Sequence, residues 1–208
     1  MTKVDESTSV TSARRNRRAD ATIATILAAT EEIILREGAE RISVMDVCVQ
    51  AKVSRGTFYR YFSSQDDLLD AFARHKREAF HRSMMEAVAP YDDPDQRFRA
   101  VVGYLDTYAA HGQARRLLRA APEYTLRFFV RIFHESQVRL LEVLRDVFDA
   151  WDQRLGVRVD RDLICEMLIR YVLSEQLVPH EQAVDGVARI EKLILALVHH
   201  SAPLKKRH

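Results

Sequence analysis

Apolar residues recur at intervals of three and four along most of the chain, which is the spacing of one face of an α-helix. The first clear stretch starts at Ala19 and ends at Gly38, a residue that suits a left-handed helix cap. Its apolar positions are Ile23, Ile26, Leu27, Ile33, Ile34 and Leu35. The pattern therefore predicts an amphipathic first helix.

Serine residues mark the starts of the next three predicted helices. Two short helices are expected over residues 44–51 and 55–61, and a long one reaches about residue 89. Serine is a favoured N-cap because its hydroxyl accepts a hydrogen bond from a free backbone N–H. The capping residues are Ser43, Ser54 and either Ser63 or Ser64.

The remainder of the chain also has helical periodicity, and no alternation is long enough to indicate a strand. The chain contains 6 Gly and 5 Pro, too few for the frequent turns of a sandwich or barrel. The fold class is therefore predicted to be all-α. The further helices are expected over residues 94–110, 113–121, 122–151, 160–177 and 182–201.

Charge and cysteine content exclude several classes of protein. Lys and Arg number 32 against 30 Asp and Glu, so the whole chain gives no argument for a polyanionic partner. The 2 cysteines are far apart, which suits a reducing cytoplasm and indicates no disulfide framework. The longest run without Asp, Glu, Lys or Arg has 12 residues, too short for a membrane span. A cytoplasmic protein without a membrane segment or signal peptide is expected.

No arrangement of residues indicates catalysis. The 8 histidines are scattered and lack the spacing of helical metal ligands, and no phosphate-binding glycine loop is present. We therefore expect no catalytic residues, no metal and no cofactor.

The segment from Ile42 to Leu69 has the properties of a helix-turn-helix. Val44 and Val47 would face a core, whereas the second short helix is too polar to be stable alone. Its exposed side chains would suit phosphate and base contacts. A plain helical hairpin with exposed aromatics fits the same periodicity, so periodicity alone leaves both open. The exposed set is Arg55, Thr57, Tyr59, Arg60 and Tyr61.

Residues from about Ala19 to Phe72 resemble the DNA-binding domain of TetR-type bacterial transcriptional regulators. The resemblance rests on the Gly38-Ala39 end of the first helix, Ser43-Val44-x-Asp46-Val47, Val53-Ser54-x-Gly56-Thr57-Phe58-Tyr59-x-Tyr61-Phe62 and Leu68-Leu69. It implies an N-terminal three-helix helix-turn-helix domain followed by a larger helical ligand-binding and dimerisation domain.

The resemblance also implies residue roles. Ser43 and Tyr59 match phosphate contacts of the family, and Tyr61 takes a second DNA-facing position. Met45 stands at a position of the second helix that reaches a base in some family members. Arg55, Gly56 and Thr57 occupy the base-reading stretch. With an N-terminal basic cluster, the predicted DNA-binding set is Arg14, Arg15, Arg17, Arg18, Ser43, Met45, Lys52, Ser54, Arg55, Gly56, Thr57, Tyr59, Arg60, Tyr61 and Gln65.

Two residues depart from the family pattern. Lys52 stands where the turn usually has glycine, and a left-handed backbone there would cost about 1 kcal/mol. Gln65 stands where a phosphate-binding lysine is usual, so one ionic contact would be missing.

The C-terminal two-thirds is rich in aromatic residues with a few polar groups on helical stripes, a composition typical of a small-molecule pocket. A plain core is the alternative for any one of these residues. The resemblance implies a pocket in this region, and no cluster of cations faces it, so an apolar or aromatic effector is expected. The candidates are Phe98, Tyr104, Tyr108, Tyr124, Phe129, Phe133, Gln137 and Trp151.

Apolar stripes on the last two helices predict a homodimer built as a four-helix bundle, with internal packing as the alternative. The stripes are Leu163, Met167, Tyr171, Ser174 and Val178, then Val187, Ile190, Ile194, Leu197 and Ser201. The predicted organisation is a flexible basic arm over residues 1–18, a helix-turn-helix domain over 19–63, a ligand-binding and dimerisation domain over 64–202, and a basic tail over 203–208.

The predicted function is a ligand-responsive regulator, most often a repressor, that leaves a palindromic operator when its effector binds. One alternative is a DNA-binding protein of the same fold without an effector, acting structurally or through a protein partner, which a filled C-terminal core would favour. The other is a small helical enzyme or carrier using the aromatic pocket.

Overall fold

The computed structural model of the chain describes residues 5–39, 42–178 and 186–200. Within these ranges every regular element is helical, which confirms the all-α fold class. No helix in the described part is long and apolar enough to cross a membrane. The helices are α1 (Asp5–Glu37), α2 (Val44–Gln50), α3 (Arg55–Tyr61), α4 (Gln65–Val88), α5 (Pro94–Ala110), α6 (Gln113–Ala120), α7 (Pro122–Val143), α8 (Arg145–Leu155), α9 (Arg161–Leu177) and α10 (Gly186–His200).

The described residues form two compact units. The first comprises Met1–Arg77 with Ala120–Tyr124, and the second comprises Glu78–Arg119 with Thr125–His208. In the first unit, α1 packs against α2 and α2 against α3. Its fully buried large side chains are Ile26, Ile33, Ile34, Phe58, Leu68 and Phe72.

The first helix begins 14 residues before its predicted start at Ala19, because α1 already starts at Asp5. Residues 5–18 contain no glycine or proline, so nothing in the sequence interrupts the helix. The structure thus has residues 5–18, which were predicted to belong to a basic arm, as the first part of α1. The other end agrees with prediction: Gly38 has φ +87°, and a Cβ there would lie 2.9 Å from the Ala120 carbonyl oxygen.

The predicted boundary between residues 63 and 64 falls inside the first compact unit. Leu68 and Phe72, in the first half of α4, are buried and belong to that unit. The Tyr124 hydroxyl donates a hydrogen bond to the Leu69 carbonyl at 3.1 Å, which ties the start of α7 to the same unit. The boundary lies instead between Arg77 and Glu78.

The second unit is organised around α5, which packs against α8, α9 and α10. The single helix predicted over residues 122–151 is divided at Leu144, which separates α7 from α8. The basic tail predicted over residues 203–208 lies outside the described residues. The largest fully buried side chains of this unit are Trp151, Phe98, Phe148, Leu144, Ile164 and Leu168.

Candidate nucleic-acid interface

Helix α2 starts at a well-formed serine cap. The Ser43 hydroxyl accepts a hydrogen bond from the Asp46 backbone N–H at 3.1 Å and donates to the Asp46 carboxylate at 2.5 Å. Val47 and Cys48 are buried and fix the opposite face, whereas Met45 is 54% exposed. Ser43 is thus half-buried at the helix start, and Met45 is accessible beside it.

The turn between α2 and α3 has the left-handed residue that the sequence predicts. Lys52 has φ +54°, and the Val53 backbone N–H donates to the Cys48 carbonyl at 2.9 Å to close the turn. A non-glycine residue in this conformation costs about 1 kcal/mol. The Lys52 side chain is exposed, so its charge is available at the surface.

Helix α3 has seven residues, and Phe58 is its buried residue. Ser54 caps it by accepting from the Thr57 backbone N–H at 3.1 Å. The Phe58 ring meets Tyr59 edge-on, with centroids 5.4 Å apart, and Phe62 at 5.6 Å. One aromatic anchor and one cap therefore hold a helix whose other side chains are exposed or half-buried.

The two arginines of α3 differ in whether they contact neighbouring side chains. The Arg60 guanidinium donates to the Thr57 hydroxyl at 3.3 Å and lies 5.5 Å from the Tyr61 ring centroid. Arg55, by contrast, makes no hydrogen bond or ion pair with the described residues and is exposed. The N–H groups of the Arg55 guanidinium are therefore available to an acceptor on a binding partner.

Gly56 is exposed, and a Cβ there would meet only the Ser54 hydroxyl at 3.9 Å. The fold does not require glycine at this position. The absence of a side chain there instead permits a binding partner to approach the backbone of α3 closely.

Gln65 is the first residue of α4 and is half-buried. The Ser64 hydroxyl accepts from the Asp67 backbone N–H at 3.1 Å, and the Asp67 carboxylate accepts from the Ser63 backbone N–H at 2.8 Å. This reciprocal cap fixes the first turn of α4 directly after α3.

The four predicted arginines before Ala19 are on the first part of α1. Arg17 and Arg18 are exposed, and the side chains of Arg14 and Arg15 lie outside the described residues.

Two positioning residues, Lys76 and Gln50, were not singled out from the sequence. Lys76 forms a half-buried ion pair with Glu31 at 2.8 Å, which joins α4 to α1. Gln50 donates a hydrogen bond to Glu32, which joins α2 to α1. Glu31 and Glu32 are adjacent acidic residues within the otherwise apolar part of α1. This feature of the sequence could have indicated that α1 has polar partners on neighbouring helices.

The eight predicted pocket residues are not brought together in one place. Phe98 and Trp151 are each 1% exposed and pack with ring centroids 4.9 Å apart. The Trp151 ring N–H donates to the Asp95 carboxylate at 2.7 Å. This part of the second unit is a filled core.

Tyr104 and Tyr108 form a second aromatic group around Phe80, with centroid separations of 5.3 and 4.6 Å. The Tyr104 hydroxyl donates to the Phe80 carbonyl at 2.9 Å. Burial raises the pKa of Tyr108 to about 12, and its hydroxyl makes no hydrogen bond with the described residues.

The other pocket candidates are dispersed. Phe129 contacts Phe128, the Arg170 guanidinium lies 5.1 Å from the Phe133 centroid, and the Gln137 amide donates to the Asp162 carbonyl at 3.3 Å. Tyr124 belongs to the first unit. An open concavity of about 970 Å³ lies instead where α8 meets α9, and none of the predicted residues lines it. Its lining includes Asp149, Asp152, Arg158, Asp160, Arg161 and Asp162.

The predicted dimer stripe on α10 needs correction. Ile190 and Ile194 are 8% and 0% exposed, because they pack into the core of their own unit. Leu193 is the exposed apolar residue between them, and Leu163 and Val178 are exposed at the two ends of α9. The side chains of Val187 and Leu197, and Ser201, lie outside the described residues.

Two short serine-capped helices, a tight left-handed turn and an exposed polar second helix define a helix-turn-helix. Residues 26–72 match the family described as bacterial regulatory proteins, tetR family. An uncharacterised HTH-type transcriptional regulator of Haemophilus influenzae is 40% identical over 48 residues, or 23% of this chain and 26% of that relative. The chain spans about a quarter of the length of the curated relatives that it matches.

Solved structures resemble a larger part of the chain. The transcriptional regulator FadR from Bacillus subtilis, solved with stearoyl-CoA, has a TM-score of 0.57 at 18% identity, covering 86% of this chain and 99% of its own. A tetR-family regulatory protein from Rhodococcus RHA1 has a TM-score of 0.57 at 19% identity, covering 85% and 96%. The chain therefore carries a TetR-type helix-turn-helix within residues 26–72 and has the fold of TetR-family regulators.

Proposed function

We propose that the protein is a DNA-binding transcriptional regulator whose α3 enters the major groove. The observation that carries this proposal is the unpaired, exposed Arg55 beside Gly56 on a helix fixed by Phe58 and the Ser54 cap. Arginine offers two parallel donors to a guanine edge, and glycine permits close approach of the base pairs.

Phosphate contacts would supply affinity without sequence information. Lys52 and Tyr59 expose a cation and a hydroxyl next to α3, and Arg17 and Arg18 extend the basic surface along α1. Because each neutralised phosphate releases counterions, binding should weaken steeply with salt.

We further propose that a homodimer binds a palindromic operator, with two copies of α3 in successive major grooves about 34 Å apart. The exposed apolar residues Leu163, Val178 and Leu193 support an interface on the last two helices. Repression would follow from operator occupancy, and a small apolar or aromatic effector would release the operator.

An effector can shift DNA affinity only through its different affinities for the two states of the protein. One structural relative was solved with stearoyl-CoA, which supports a small-molecule effector for this fold. The alternative, DNA binding without an effector, is favoured by one observation: Phe98, Phe148 and Trp151 fill the core where part of the pocket was expected.

The experiment is in vitro selection of DNA from a random library with the full chain, followed by footprinting of the selected duplex. The proposal predicts an inverted repeat with half-sites one helical turn apart. Selected sequences without an enriched motif would contradict specific regulation. Small molecules are then tested for release of the selected duplex. Release would support the effector-responsive regulator, and no release would support DNA binding without an effector.

A further inference from the structure

Two buried polar side chains in the second unit have hydrogen-bonding atoms that the described residues leave without a partner. Gln176, near the end of α9, is 1% exposed, yet its carbonyl oxygen Oε1 has no hydrogen-bond partner among the described residues. Arg115, on α6, has a buried Nε that likewise has no partner within the described part of the chain. Both are exceptions, since most buried polar atoms in folded proteins are satisfied.

The two groups lie at the same place in the fold. The Arg115 guanidinium donates to the Glu175 carbonyl at 3.1 Å, directly beside Gln176 in the chain. The Gln176 amide donates to the Ala109 carbonyl at the end of α5, at 3.4 Å. Three helices therefore converge on an unsatisfied donor and an unsatisfied acceptor.

The charge on Arg115 is also uncompensated. Among the described residues its one hydrogen bond goes to a backbone carbonyl, and no carboxylate lies within ion-pair distance. The surrounding helices contribute apolar surface, because Ala109, Ala114 and Val172 are buried. A partly buried cation in such surroundings favours an anionic acceptor.

Resting on the effector response proposed above, we infer that Arg115 and Gln176 recognise the polar end of the effector, a carboxylate that carries a neighbouring hydroxyl. The carboxylate accepts from the Arg115 guanidinium, and the hydroxyl donates to Gln176 Oε1. The rest of the effector is apolar or aromatic, as the adjoining core residues require.

A set of related compounds tests each contact. Mandelate carries both groups, phenylacetate lacks the hydroxyl, and phenylethanediol lacks the carboxylate. Hydroxyoctanoate, octanoate and octanediol repeat the comparison on an aliphatic body. Calorimetric titration of the full chain should show loss of the carboxylate costing about tenfold or more in affinity, and loss of the hydroxyl about threefold.

Matched variants test whether the carboxylate preference comes from Arg115 and the hydroxyl preference from Gln176. Arg115→Met should remove the preference for carboxylates, and Arg115→Lys should restore part of it, because lysine keeps the charge without the fork. Gln176→Met should remove only the preference for the hydroxyl. Ligand-free Gln176→Met should be at least as stable as the parent, whereas a purely structural glutamine would make the variant less stable.

The inference is overturned if both compound series bind the parent without preference for the hydroxy acid, if neither series binds at millimolar concentration, or if the preferences persist in the variants. DNA affinity for the selected duplex is measured in parallel. Hydroxy acids that bind through Arg115 and Gln176 without releasing DNA would support the site and contradict the effector response. If only other compounds release the DNA, that result would support the effector response and contradict the proposed site at Arg115 and Gln176.

Discussion

The two compact units use polar groups in opposite ways. In the first unit, the polar side chains of α3 and its cap are exposed or half-buried, as Arg55 and Thr57 are. In the second, Gln176, Arg115 and His81 each keep a buried polar atom that has no hydrogen-bond partner among the described residues. The first unit therefore presents its chemistry on the surface, where a large ligand can reach it. The second keeps its unsatisfied polar atoms in the interior.

The largest expected effect concerns the anchor of the first unit. Phe58→Ala should cost about 3–5 kcal/mol, because α3 has no other buried side chain to hold it. Thermal unfolding should show the loss, and DNA binding should disappear with it. Tyr59→Phe is the control for stability, since it keeps the ring contact with Phe58 and removes only an exposed hydroxyl. Equal stability of Phe58→Ala and the parent would contradict the anchoring role.

The next prediction separates the core of the second unit from its surface. Ile194→Arg places an unpaired charge at a fully buried position and should destabilise the chain by about 3–5 kcal/mol. Leu193→Arg, one residue earlier and 43% exposed, should keep the stability of the monomer. If the dimer interface crosses α10, sedimentation should show Leu193→Arg as a folded monomer. A dimeric Leu193→Arg would place the interface elsewhere.

The sequence predicted α2, the turn and α3 well because the signals for these elements are local. A cap acts within three residues, as Ser54 does on Thr57, and the left-handed turn at Lys52 follows from the chain on either side. The second unit depends on contacts between distant residues, such as Trp151 with Asp95, that helical periodicity does not encode. Ile190 and Ile194 illustrate the limit, because an apolar stripe looks the same whether it faces a core or a partner.

A smaller effect is expected at the turn. Lys52→Gly should stabilise the first unit by about 1 kcal/mol, because glycine adopts the left-handed backbone without a steric cost. If Lys52 contacts phosphate, the same change should make the dependence of log K on log salt less steep by about 0.9 per contact. If the variant is more stable but the salt dependence of DNA binding is unchanged, Lys52 does not contact phosphate and affects only the backbone conformation of the turn.

The smallest effect concerns pH and the second unit. Burial lowers the pKa of His81, and Arg139 lowers it further, while Glu142 acts in the opposite direction. The folded state therefore binds protons less readily than the unfolded state. Stability should be highest above the unfolded pKa of about 6.5 and should fall as the pH drops below it. His81→Gln should remove this part of the pH dependence, as thermal unfolding at several pH values would show.

The central claim, that α3 reads bases while its neighbours contact phosphates, is tested most directly by fluorescence anisotropy on selected and scrambled duplexes at several salt concentrations. Arg55→Ala should lose about 1–3 kcal/mol per contact on the selected duplex and little on the scrambled one. Gln65→Lys should tighten binding to both by similar factors and steepen the salt slope by about 0.9 per new contact, or twice that in a dimer. Equal losses for Arg55→Ala on both duplexes, or a Gln65→Lys effect confined to the selected one, would contradict the account.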